Sequence, residues 1–79
     1  MKIGDYIIRK NYKGCKDFSI GFVTGFDPDN DPKFITIYST TKEESFGDVW
    51  WDYISRYSVL SYEQVKIIVF NKKCRVVVG

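Results

Sequence analysis

The sequence predicts an all-β domain in which five short strands close a small barrel and a C-terminal β-hairpin follows. Three observations carry this expectation. Alanine is absent, and no long stretch repeats its apolar residues at the helical period. β-Branched and aromatic residues come instead in short runs, broken by Gly, Asp, Asn and Pro. Six Phe, six Tyr and two Trp make up 18% of the 79 residues. A chain this short needs that density, since a domain of about 60 residues buries only about 60% of its unfolded surface. Each buried ring removes roughly 150–250 Å² from water.

Residues 3–9 form the first strand, and residues 11–17 a polar loop. Residues 18–26 are the second strand, in which Phe18, Ile20, Phe22 and Phe26 alternate with Ser19, Gly21, Val23 and Gly25. Its glycines indicate a bend or a close backbone approach. Residues 27–32 carry two prolines among Asp and Asn, a turn composition. The Asp27, Asp29, Asp31 spacing opens like a calcium loop. The sixth position is Pro32 where Gly is required, and the twelfth is Tyr38 where a bidentate Glu is required. The segment therefore reads as a hairpin turn. Residues 33–40 are the third strand, 41–45 a polar loop and 46–51 the fourth strand. A single 3₁₀ turn fits 52–56, and 57–60 complete the fifth strand. Beyond the barrel of residues 1–61, residues 62–79 read as a hairpin. Val65 to Phe70 and Cys74 to Val78 would pair across Asn71-Lys72-Lys73, packed on the barrel or on a neighbouring chain.

Lys2-Ile3-Gly4-Asp5-Tyr6-Ile7, then Ser19-Ile20-Gly21-Phe22-Val23-Thr24, then Val49-Trp50-Trp51 and a turn into Ser58-Val59-Leu60 resemble the small SH3-like β-barrel proteins often encoded by bacteriophages. The resemblance covers residues 2–61. Ser19 stands where a Gly is common, and Trp50 adds a second Trp beside Trp51. The resemblance implies an SH3-like five-stranded barrel that acts as a binding module and not as a catalyst.

The net charge of +2 is unevenly spread. Lys2, Arg9, Lys10, Lys13 and Lys16 face only Asp5 in the first sixteen residues. Asp27, Asp29, Asp31, Glu43, Glu44, Asp48 and Asp52 outnumber Lys33 and Lys42 in the middle. Lys66, Lys72, Lys73 and Arg75 close the chain. No segment approaches the roughly 18 apolar residues of a membrane span, and no signal-peptide core follows the start. Histidine is absent, and Cys15 and Cys74 form no metal-ligand spacing. Without a secretion signal, the two thiols are expected to be reduced. No nucleophilic triad can be assembled, and Asp48 with Asp52 read as a solvated rim and not as a catalytic pair. The expectation is no enzyme, no cofactor and no metal.

Trp50, Trp51, Tyr53 and Tyr57 form the densest aromatic stretch, and aromatic anchors dominate protein interfaces. Trp50, Trp51 and Tyr53 with the acidic strip of Glu43, Glu44 and Asp48 make the candidate protein-binding face. The expected function is a small phage protein, in the host cytoplasm, that binds and modulates a host or viral protein. A virion subunit that self-associates through its C-terminal hairpin is the first alternative. The second is a nucleic-acid binder using Lys10, Tyr12, Lys13, Lys16, Lys72, Lys73 and Arg75, with basic groups on phosphates and rings under bases.

Overall fold

A computed structural model describes residues 1–10, 12 and 17–78, with side chains through residue 71. Strands β1 (Tyr6–Arg9), β2 (Ser19–Phe26), β3 (Pro32–Ser39), β4 (Val49–Trp51) and β5 (Tyr57–Leu60) form one antiparallel sheet in the order β4-β3-β2-β1-β5. A 3₁₀ turn (Ile54–Arg56) precedes β5, and helix α1 (Tyr62–Val78) follows it. The chain is thus mostly β, as expected. The expected closure is not present, because the edge strands β4 and β5 do not pair with each other.

Adjacent residues of a strand point to opposite faces, and in β1 both Ile7 and Ile8 are fully buried. The sheet therefore carries a core on each side. On one face Ile8, Ile20, Leu60 and Val65 cluster, with Phe18, Tyr38, Ile68 and Val69 around them. On the other, Ile7, Val23 and Phe34 cluster with Phe26 and Tyr57. Register shifts beside Gly21 and between Val23 and Gly25 interrupt the β2–β3 ladder, which bends β2 as its glycines suggest.

Two turns share one construction. In Lys2-Ile3-Gly4-Asp5 the Asp5 N–H donates to the Lys2 carbonyl (3.1 Å), and the Asp5 carboxylate accepts the Lys2 N–H (2.8 Å). In Ser45-Phe46-Gly47-Asp48 the equivalent bonds are 3.1 and 2.9 Å. Gly4 and Gly47 have φ of 94° and 90°, which only glycine adopts without strain. Each Gly-Asp pair then bulges against one residue of the neighbouring strand, Val23 in the first case and Thr36 in the second.

Residues 27–32 form the turn that their composition indicates. The Asp27 carboxylate accepts the N–H groups of Asp29 and Asp31, both at 2.9 Å. Asp31 in turn accepts the Ile54 N–H at 3.0 Å, which pins the 3₁₀ turn to the β2–β3 hairpin.

The C-terminal hairpin expected over residues 62–79 is replaced by a helix. Its start is a capping box: Ser61 Oγ accepts the Gln64 N–H (3.1 Å), and Gln64 Oε1 accepts the Ser61 N–H (2.8 Å). Leu60 and Val65, on either side of the cap, share one core cluster and staple the entry. Val65, Ile68 and Val69 recur at helical spacing and meet the sheet. Tertiary packing here overrides the strand propensity of a Val- and Ile-rich run.

Replacing Ser61 by Ala is expected to lower the unfolding free energy by about 1 kcal/mol, with Ser61→Asp close to wild type. Urea denaturation followed by far-UV circular dichroism measures both.

Candidate functional site

Strand β4 is an edge of the sheet, and all three of its residues are exposed. Its register sets Trp50 opposite Phe34, on the face of the Ile7 core, and Trp51 opposite Lys33 on the other face. Trp51 meets Tyr53 edge-on, with ring centroids 6.0 Å apart. The Arg56 guanidinium lies 5.0 Å from the Tyr53 ring centre. Phe46, at the tip of the Gly47 turn, is 81% exposed, Val49 is 69% exposed and Trp51 57%. Trp50, Tyr53 and Ile54 are exposed as well, so large apolar side chains surround β4. Such clusters on small proteins mark interaction surfaces.

A cavity of about 400 Å³ opens beside this surface, between Arg9, Trp50, Trp51, Asp52 and Tyr57. Phe34, Thr36 and Gly21, all buried, also line it. A Cβ on Gly21 would stand 2.6 Å from the Phe34 ring, so glycine is what lets that ring lie over β2.

Asp52 organises the rim. Its carboxylate accepts from Arg9 (3.2 Å), Arg56 (3.3 Å) and the Tyr57 hydroxyl (3.2 Å), and its side chain is only 16% exposed. Burial pushes the Tyr57 phenol above its ordinary value, the Asp52 charge adds to this, and Arg9 opposes it. The gap between the two sheet edges is thus bridged by side chains where a closed barrel would have a backbone ladder.

The structure brings Glu44, Trp50 and Trp51 together at the cavity, and sets Tyr53 against Trp51. Glu43 is exposed on the loop before β4. Asp48 holds the Gly47 turn, accepting both the N–H and the hydroxyl of Ser45. Among the residues considered for nucleic acid, Lys10 is exposed, and Tyr12 packs on Phe18 with centroids 5.9 Å apart. Lys13, Lys16 and Cys15 lie outside the described residues. The side chains of Lys72, Lys73, Cys74 and Arg75 also lie outside the described part. Self-association through a C-terminal hairpin loses its basis, since that segment is α1.

Arg9, Phe46 and Val49 are site residues that the sequence expectation does not include, whereas Tyr57 belongs to its aromatic stretch. The repeated Gly-Asp pair was a usable signal for Phe46, which occupies the same turn position as Ile3. A second, wider groove of about 770 Å³ runs between α1 and β3, past Ile37, Tyr38 and the exposed Ile67 and Phe70. Among the described residues no group of three or more His, Cys, Asp or Glu could hold a metal ion. No described helix is long and apolar enough to cross a membrane.

Gly21→Ala is expected to destabilise the fold by about 1–3 kcal/mol through overpacking against Phe34, measured by urea denaturation. The raised Tyr57 pKa favours the neutral phenol in the folded state. It contributes stability that is complete below the unfolded value, near 10, and lost as pH rises through the folded one. A difference titration of tyrosinate absorbance between wild type and Tyr57→Phe is expected to show one phenol ionising above about 10. No protein-family model, curated protein or solved structure matches the chain.

Proposed function

We propose that this chain is a non-catalytic protein-binding module, an SH3-like small phage protein that binds and modulates a host or viral protein. The observation that carries the reading is β4, an edge strand whose every side chain is exposed and which Phe46, Tyr53 and Ile54 extend into an apolar surface. Leaving Trp and Phe side chains in water forgoes roughly 1.5–3 kcal/mol apiece of burial energy, which a partner recovers. Support for the SH3-like class comes from the strand order β4-β3-β2-β1-β5 and from the 3₁₀ turn leading into the last strand. The open β4–β5 gap and the added α1 are this chain's departures from that class.

A tagged chain exposed to nuclease-treated bacterial lysate is expected to retain a stoichiometric protein. Trp51→Ala, with unchanged circular dichroism, is expected to weaken that complex at least tenfold, the size of an interface hot spot. Retention unchanged in both Trp51→Ala and Val49→Ser would overturn the assignment of this surface.

A further inference from the structure

We infer that the occupant of the β4 surface is an extended basic peptide segment, which adds a strand to the β4 edge and places an arginine or lysine side chain in the adjoining cavity. The inference rests on the protein-binding reading and names the chemistry of the partner.

The backbone supplies the first argument. Thr36 exchanges hydrogen bonds with Gly47 and Asp48 across the bulge, 2.8 Å each way. Bonded and non-bonded pairs alternate along an antiparallel ladder. The next exchange therefore falls at Phe34 and Trp50, and the N–H and C=O of Val49 and Trp51 turn to the free edge. No Lys or Pro guards those positions, the usual protection of an edge strand. A strand added there sets one residue opposite Trp50, and cross-strand neighbours share a face. That face is the one on which the cavity opens.

Charge decides what the residue is. Asp48 and Asp52 flank β4, and Glu43 and Glu44 precede it. Of the carboxylates lining the cavity, Asp52 is matched by Arg9 and Arg56. Asp17 and Glu44 line it with no ion pair among the described residues. The rings nearby already hold guanidinium groups: Arg9 lies 6.0 Å from the Tyr57 centroid and Arg56 5.0 Å from that of Tyr53. A cation over an aromatic face, close to unpaired carboxylates, is favourable on both counts.

The same charges argue against a second copy. Two β4 strands paired about a two-fold axis at Trp50 would set Asp48 of each copy opposite Asp52 of the other. Like charges directly opposite are destabilising. The strand also has only three residues, so backbone pairing alone gives little affinity. The anchoring side chain must supply the rest.

The test uses the full chain and short acetylated peptides of alternating threonine and valine, with a central arginine, norleucine or glutamate, read by fluorescence anisotropy. The arginine peptide is expected to bind on the order of tenfold tighter than the norleucine peptide, with the glutamate peptide weakest. Glu44→Gln is expected to reduce arginine-peptide affinity severalfold and norleucine-peptide affinity by much less. Methylating the amides that flank the arginine, opposite Val49 and Trp51, should abolish binding, whereas methylating the arginine's own amide should not.

Equal affinity for the arginine and norleucine peptides overturns the basic occupant and leaves the interaction surface standing. So does an absence of peptide binding while the lysate partner still depends on Trp51. Concentration-dependent dimers in sedimentation that Trp51→Ala abolishes would show a second copy on the edge, and would overturn the inference. Indifference of both peptide and lysate partner to Trp51→Ala and to Val49→Ser overturns the two readings together.

Discussion

The fold depends on β1 being buried on both faces. Ile7 and Ile8 are neighbours in sequence and point apart, yet neither meets solvent. Full burial of such a side chain contributes roughly 1.5–3 kcal/mol, and a sheet covered on one face could secure only one of the two. The sheet solves this asymmetrically. Toward Ile7 it bends, bringing Val23 and Phe34 over the strand. Toward Ile8 it relies on another element, and Val65 of α1 completes that cluster. Helix α1 is thus part of the core.

The bend on the Ile7 side also creates the candidate site. Strands β4 and β5 are not joined by a ladder, so the space between them stays open and its polar rim needs its own partners. Asp52 supplies them, linking the end of β4 to Arg9 on β1 and to Tyr57 on β5. Exposed ion pairs contribute little singly. Here one largely shielded carboxylate accepts from three side chains at once, which fixes the position of the cavity mouth against β4. Incomplete closure of the sheet and the presence of a cavity are therefore the same structural fact.

The strands were legible in the sequence because alternation and turn residues are local signals. The turn at residues 27–32, the 3₁₀ turn and the fifth strand fall where composition places them, within a residue or two. The helix was not legible from propensity. Val65, Ile67, Ile68 and Val69 favour strands, and what reverses them is a capping box at Ser61 and Gln64 plus a sheet face that needs cover. The box is written in the sequence, but its four residues weigh little against a long β-branched run. Of the site, Trp50, Trp51, Tyr53 and Glu44 were visible as types. Tyr57 was visible as part of the same aromatic stretch, but Arg9 joins them only through the pairing of β1 with β5, a long-range register that no local pattern encodes.

That pairing bears on the order in which the protein is made. Strand β1 leaves the ribosome before the other four strands, yet its second hydrogen-bonding neighbour, β5, is the last of them. Synthesis proceeds at about 5–20 residues per second, so one edge of β1 waits for seconds. Ile8 waits longer still, until Val65 has emerged and α1 has wound onto it. During that interval the nascent chain offers a strand unpaired along one edge and an incompletely covered Ile8, the kind of segment that holding chaperones engage. The strand that ends as the best covered in the molecule begins as the most vulnerable.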